Sequence, residues 1–544
     1  MEKTIWESVV GIYYKIDKKY RLCFLSSIIF GFMAHIYALT NHLYNYDELW
    51  HTPAGFGTGI ELGRWALSIT ASIYKLLFKD AFTIPFVNGF ITILLYAITA
   101  CFVVSVYEIK DEGFAVLIGG LMISFPTLVC RMFFMFTTHY YALGVTLVSA
   151  GVWMAIKKRH TVLNVVIAIV LLVYGMAIYQ ANFVTGVCMI VGYLLQKYIK
   201  EDYDIKNIIL SCASYLMYLV LCMALFLVGS RLALSISGKQ MAKIENIDTM
   251  GQMSANLFVE GVTRCYKLFL RIPFKDVYSM NPNGISKMSF GIAILVLCFV
   301  LLYVWVTDRP IHMKILVTMI MAILPISVNL IQVMAISSGT MYSIMTYEIV
   351  FILLIPITCM EAIKCYGEQN VPLGSDRIIS GKRFDSYRRS MCYILAITLF
   401  VAILNNIWFA NGNYLVIDYT NSRDYAYYTV MASQIKSLPG YRDDMPIQRI
   451  GAPVNDSTYP DMSVADKVFN LTGKAHTNIY GFSSWNIMTR IVGFEPKERN
   501  SDEDEAYFRS LQEVINMPNY PDSGSIRIIE DTVVIKFQDV EEVQ

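Results

Sequence analysis

The chain has 544 residues, of which 56% are hydrophobic and only 16% charged, and its mean hydropathy is +0.48. A soluble globular chain is nearer a quarter charged, so an apolar excess of this size calls for lipid. A formal net charge of +1 provides no global field to draw in a polyanion and argues against nucleic acid as a partner.

Residues 1–21 are mixed and basic, with Lys15, Lys18, Lys19 and Arg21. The apolar run behind them is too long for the core of a cleaved signal and has no small-residue cleavage site. Eleven segments are long and apolar enough to predict membrane spans: 22–40, 84–106, 113–130, 132–155, 162–179, 181–199, 207–229, 288–306, 314–335, 341–363 and 391–409. The tight pairs 113–155 and 162–199 read alternatively as single re-entrant units. With the N-terminus in the cytoplasm, the cytoplasmic loops are 107–112, 156–161, 200–206, 307–313 and 364–390. The second holds Lys157, Lys158 and Arg159, the fourth is edged by Arg309 and Lys314, and the fifth carries Lys364, Arg377, Lys382, Arg383, Arg388 and Arg389. The first and third lack a clear basic excess. Basic loops mark the cytoplasmic side, and an odd number of spans then places 410–544 outside. The expected fold is an α-helical polytopic membrane protein, with a transmembrane domain over 1–409 and a small extracytoplasmic α+β domain over 410–544.

Three segments lie outside the lipid. The first outer loop, 41–83, ends in an amphipathic stretch with Trp65, Ile69, Ile73 and Leu76 on one helical face. The second, 230–287, holds another interfacial helix over about 255–272. In the tail, Tyr428, Met431, Ile435 and Leu438 have helical spacing. Residues 501–515 open on Ser501 with acids in the first turn, a helix start. Ile526 and Ile528, then Val533, Ile535 and Phe537, alternate around Glu530-Asp531 as a hairpin would.

Candidate chemistry begins at Asp47 and Glu48, just beyond the first span. Charged groups near lipid tend to face a cavity with partners or water. Tyr44, Tyr46 and Trp50 flank the two carboxylates, which suits a general base over an aromatic sugar platform; the alternative is a solvated interfacial loop. Arg64 follows Gly63, where its guanidinium could fork onto a phosphate or simply anchor at the interface. Lys75 and Lys79 suit lipid headgroups. Arg131 and His139 flank the 113–155 pair, and a lone histidine there is more often a hydrogen-bonded core residue. Tyr179, Gln180 and Asn182 lie at an outer turn, where the amides would meet sugar hydroxyls or their own backbone. Arg264, Lys267 and Arg271 form a basic stripe at i, i+3, i+7 that would hold an anionic headgroup or a lipid phosphate.

The eleven cysteines all precede residue 393, and none forms a Cys-x-x-Cys or a zinc-spaced cluster. They read as small hydrophobes. Asn455-Asp456-Ser457 and Asn470-Leu471-Thr472 are chance sequons. No phosphate-binding loop, dinucleotide fingerprint or HExxH occurs, and no cytosolic domain is left to bind a nucleotide.

Asn45-Tyr46-Asp47-Glu48 followed by Gly63-Arg64 resembles the O-antigen-modifying Gtr type II family of bacterial membrane glucosyltransferases. Pro85-Phe86-Val87-Asn88-Gly89, Phe125-Pro126-Thr127, Phe136-Thr137 and Tyr179-Gln180-Ala181 are further landmarks in matching order. The likeness covers roughly the first 200 residues. It implies a GT-C-like enzyme of the bacterial cytoplasmic membrane that moves a hexose, glucose in the first instance, from a polyprenyl-phosphate donor to a surface polysaccharide on the outer face. Asp47 or Glu48 would then be the catalytic acid–base residue and Arg64 a phosphate or substrate contact. No cofactor is required, and a divalent metal is optional. Partners implied are the lipid-linked donor, a glycan acceptor, membrane lipid, and a flippase and donor synthase to supply the donor. A lipid or polysaccharide flippase would instead need charges buried mid-span, and only Arg131 and Glu348 stand out. A surface-polymer ligase or polymerase would carry its key arginines in the large outer loops.

Overall fold

The computed structural model describes residues 11–539, leaving aside 12, 52–53, 81, 159–160, 243–253, 278–282, 336–345, 370–374, 454–484, 496 and 500, and the side chains of 368–385. Arg159, both sequons, the start of the 341–363 segment and the side chains of Arg377, Lys382 and Arg383 lie outside the described residues. The chain divides into two compact units. One comprises Met1–Asn41 and Phe56–Asn411; the other comprises His42–Gly55 and most of the chain from Gly412 onward.

The first unit is helical. In chain order it holds α1 (Lys18–Thr40), then, after the short α2 (Tyr46–His51) of the second unit, α3 (Trp65–Phe78), α4 (Pro85–Val106), α5 (Glu112–Ser124), α6 (Pro126–Phe133), α7 (Thr138–Lys157), α8 (Val162–Ile178), α9 (Asn182–Lys200), α10 (Ile205–Ser237), α11 (Ala255–Arg271), α12 (Gly284–Val306), α13 (Ile311–Val328), α14 (Ile331–Met334), α15 (Phe351–Gln369) and the first part of α16 (Ser375–Lys436). Side-chain caps start several of them: Asp111 accepts from Phe114 N–H, Thr161 from Asn164 N–H, Ser254 from Leu257 N–H and Asn283 from Ser286 N–H.

Among the described residues eight helices are long and apolar enough to cross a membrane, or nine if the bent pair α5–α6 is one span. The decisive case is α10. It has 33 residues, and its most apolar 18-residue window has a mean hydropathy of 2.2, yet only 17% of that window is buried by protein. At about 1.5 Å per residue it outruns a hydrocarbon core of about 30 Å. The protein is therefore a multi-pass membrane protein.

The eleven predicted segments fall on helices, but not as eleven equivalent spans. Phe125 has extended ψ of 135°, because Pro126 disfavours a helical conformation in the residue before it. The helix breaks there by 41°, and the next long helix restarts only at Thr138. α8 is 17 residues long, and α9 carries Asn182, Gln196, Lys197 and Lys200; both fall short of a full span.

Tight contact between α7 and α8 depends on glycines. A Cβ on Gly175 would stand 2.5 Å from the Gly144 carbonyl oxygen, and one on Gly151 would stand 2.8 Å from the Ala168 carbonyl oxygen. Small residues thus bring the two backbones together. Glu108, with φ of +52°, ties the far ends of α7 and α9 to the α4–α5 turn, accepting from Lys157 at 2.6 Å, Lys200 at 2.9 Å and Gln196 at 3.1 Å. Burial pushes its carboxyl up, but the two ammonium groups outweigh that and hold it at about 2.

The second unit is a mixed four-stranded sheet in the order β2-β1-β4-β3, from β1 (Pro446–Ile450), β2 (Lys497–Arg499), β3 (Ile526–Ile529) and β4 (Thr532–Lys536). β1 runs parallel to both neighbours, and β3–β4 is the predicted hairpin. Glu530 and Asp531 take positive φ at its turn, as a two-residue hairpin loop requires. One sheet face packs under Tyr428, Met431 and Ile435 at the end of α16, together with Tyr44 and Leu49 from the α2 segment. The other packs under α17 (Asp502–Ser510) and α18 (Gln512–Ile515), through Phe508 and Val514.

Gly175→Ala should lower stability by about 1–3 kcal/mol, the usual cost of overpacking against backbone. Thermal unfolding of the purified protein in detergent checks this, and an unchanged midpoint would mean that α7 and α8 can part freely.

Candidate functional site

Two groups of polar side chains need explanation, one in each unit. In the first unit they sit where apolar helices converge. Arg64 opens α3 after Gly63, whose φ of +73° places it in the left-handed region. The Arg64 guanidinium lies over the Tyr179 ring at 4.9 Å and donates to the Tyr141 hydroxyl at 3.4 Å. Tyr141 in turn stacks on Tyr179 with centroids 4.6 Å apart. Arg131, on α6, is fully buried. It donates to the Tyr96 hydroxyl at 2.7 Å, and its guanidinium lies 5.0 Å from the Tyr347 ring and 5.9 Å from the Tyr179 ring. Glu348 is also buried, accepts from Thr185 Oγ1 at 3.0 Å and lies within electrostatic range of Arg131. Two guanidinium groups and a carboxyl group thus share one aromatic cluster, with Arg64 at its half-buried end. Cation–ring contacts gain strength when desolvated, and such charges inside a membrane protein mark function.

The other predicted residues of this unit are placed differently. Gln180 donates to the Leu62 carbonyl and Asn182 donates to the Gly175 carbonyl at 3.3 Å, so both amides fix their own turn. His139 is buried against Tyr74 and Tyr140, its ring centroid 4.0 Å from that of Tyr140. Arg264 pairs with Glu260 at 2.6 Å, and Lys267 and Arg271 are exposed on the same helix. No hydrogen bond or ion pair among the described residues joins that stripe to Arg64. A groove of about 270 Å³ between α8 and α10 is lined by apolar residues such as Val165, Leu210 and Leu221; it offers no charged group and suits lipid.

In the second unit the acidic pair stands on α2. The Asn45 side-chain oxygen accepts from the backbone N–H groups of Asp47 at 2.8 Å and Glu48 at 2.9 Å, which caps the helix and orients the two carboxylates. Tyr44 N–H donates to Asn421 Oδ1 at 3.0 Å, Asn421 Nδ2 donates to the Tyr44 carbonyl at 2.9 Å, and Tyr44 Oη donates to the Asn421 carbonyl at 3.0 Å. Arg490 holds the other end by donating to the Trp50 carbonyl at 2.7 Å. Trp50 itself is exposed and Tyr46 half-buried, so Tyr44 is the buried aromatic here. Asp47 remains half-exposed, whereas Glu48 is buried with its Oε1 3.6 Å from His42 Nε2. Burial pushes the Glu48 carboxyl up, and His42 partly opposes this. The Glu48 carboxylate, in turn, raises the His42 imidazole. Among the described residues no group of three His, Cys, Asp or Glu side chains converges as a metal site would require.

Sequence reasoning missed Tyr141, Tyr347, Tyr96, His42 and Asn421. Asn45, two residues before an acid pair, was a visible capping signal. Nothing local announces Asn421, which reaches the loop from 377 residues away.

The fold is that of a multi-pass helical membrane protein, with an arginine–tyrosine cluster in one unit and a clamped acidic loop in the other. The Glucosyl transferase GtrII family model matches residues 36–353, more than half of the chain. The chain belongs to this family and is a glucosyltransferase. No curated protein and no solved structure matches it. The matched segment includes Asp47, Glu48, Arg64, Arg131, Tyr179 and Glu348.

His42→Ala removes the group that draws the Glu48 carboxyl down against burial, so Glu48 should then titrate at higher pH. If transfer needs the Glu48 anion, the acidic limb of the kcat/KM profile moves up in pH. An unmoved limb excludes a role for that charge.

Proposed function

We propose that the enzyme transfers a hexose, glucose in the first instance, from a polyprenyl-phosphate sugar to a surface polysaccharide at the outer face of the bacterial cytoplasmic membrane. The observation that carries this reading is the capped and clamped acidic pair on α2, inside the family match. Asp47 is the base, because it is the half-exposed member of the pair and an acceptor hydroxyl can reach it. It takes the proton as the acceptor oxygen bonds to the anomeric carbon. The bond from that carbon to the phosphate oxygen breaks, and the phosphate leaves on its lipid with both electrons. A guanidinium suits the charge that develops there, and Arg64, at the half-buried end of its cluster, takes that role. Attack opposite the leaving group inverts the anomeric centre. Glu48, buried beside His42, holds the loop. A donor synthase and a flippase supply the lipid-linked sugar; a divalent metal is not needed for these steps.

Asp47→Asn should lower turnover by about 10²-fold or more, the usual weight of a general base, with Glu48→Gln milder. Arg64→Lys should lose most activity, because an ammonium replaces a forked guanidinium poorly. The assay is glycan transfer by purified variants from a synthetic polyprenyl-phosphate glucose. Near-normal turnover in both acid variants would remove the catalytic assignment.

The basic-loop pattern supports a cytoplasmic N-terminus and an outer C-terminal domain. Ser523 is exposed in a region without cysteine. Ser523→Cys should therefore label with a membrane-impermeant thiol reagent in intact cells, above the signal of the parent protein. Labelling only after lysis would reverse the orientation.

A further inference from the structure

We infer that Glu348 is a positioning residue for the donor phosphate, acting through Arg131. It sets the charge that the arginine pair presents, and so limits how far a doubly charged phosphate is held in preference to a singly charged phosphodiester. This rests on the reading above that a lipid-phosphate sugar is the donor.

Arg131 is the fully buried member of the pair. Among the described residues, its hydrogen bond to Tyr96 and its contacts with the Tyr347 and Tyr179 rings are to neutral groups. They orient the guanidinium but leave its charge in place. Arg64 lies on the same Tyr179 ring, so two like charges meet across one aromatic side chain in a medium that screens them weakly. Glu348 follows Tyr347 in the chain, is buried, and is pinned by Thr185 from α9. Its carboxylate, within electrostatic range of Arg131, offsets that charge. Arg64, at the half-buried end, then meets the ligand with less added pull from Arg131.

The two lipids of the reaction differ in charge. The donor is a phosphodiester with one negative charge. The product is a phosphomonoester whose second ionisation falls near neutral pH, so it carries nearly two. Each extra positive charge in the cluster therefore strengthens product binding more than donor binding. A cluster tuned to the diester releases its product.

Glu348→Gln keeps the shape and an acceptor for Thr185 but adds one unit of positive charge. Binding of short-chain polyprenyl phosphate and polyprenyl-phosphate glucose would be measured by calorimetry on the wild type and three variants. In Glu348→Gln the monoester should tighten about tenfold more than the diester, from one added charge at short range. Product inhibition should rise and kcat fall, with KM unchanged or lower. Glu348→Asp, which keeps the charge, should retain the wild-type ratio. Glu348→Gln combined with Arg131→Gln, which removes one charge of each sign, should return toward that ratio, and it also serves if the single variant does not purify. Equal changes for both lipids, or a double variant as biased as the single one, would overturn the inference while leaving the donor reading intact. A wild type that binds neither lipid would overturn the donor reading and this inference with it.

Discussion

A guanidinium buried among apolar helices is the constraint around which the first unit is arranged. An isolated charge in a low-dielectric interior costs several kcal/mol, and no lipid-facing position could hold one. Arg131 is tolerated because α4 brings Tyr96, the turn before α15 brings Tyr347 and Glu348, and the α8–α9 turn brings Tyr179. Segments from positions 96 to 348 must therefore converge before the charge is accommodated. The glycine contacts of α7 with α8 and the bend at Pro126 serve that convergence. One sets how near α8 can bring its C-terminal turn, and the other lets α6 leave the line of α5.

The acidic loop solves a different problem. A loop outside the lipid has no bilayer to order it, and fixing its backbone costs entropy. Here three hydrogen bonds between Tyr44 and Asn421, a cap from Asn45 and an apolar anchor at Leu49 meet that cost. The result separates two adjacent carboxylates by environment. Glu48 is enclosed beside His42, and Asp47 keeps contact with solvent. Neighbouring acids with different surroundings can take different roles.

Composition and hydropathy were enough to read the membrane class, since α10 and its fellows have no other way to cover their apolar faces. The tail was legible for local reasons. Tyr428, Met431 and Ile435 repeat at helical spacing and are buried together, and Glu530-Asp531 sits between alternating runs. The span count was less legible, because hydropathy does not register a break such as the one at Phe125, and a segment drawn over 181–199 averages the polar ends of α9 with its apolar middle. At the site, Arg131 stood out as a charge in an apolar segment, Arg64 as an arginine after a glycine at a helix start, and Tyr179 by its place at a turn between apolar segments. Their grouping was not readable, because it depends on tertiary contacts with Tyr141, Tyr96 and Tyr347, which look like ordinary core aromatics in sequence. Gln180 shows the reverse case: a sugar-binding amide and a turn-fixing amide are the same residue until the Leu62 carbonyl is seen beside it.

The family match ends at residue 353, yet the loop bearing Asp47 and Glu48 is shaped by residues beyond that point. Asn421 supplies its clamp, Arg490 holds its far end, and Tyr428, Met431 and Val533 complete the core that encloses Leu49. A segment inside the match thus takes its conformation from a segment outside it. Substitution at Asn421 would free the Tyr44 backbone and the capped turn behind it without touching either carboxylate. The C-terminal domain is for that reason a structural part of the acidic loop, and changes in its core can reach the two carboxylates through Tyr44 and Leu49 while the residues of the loop itself stay the same.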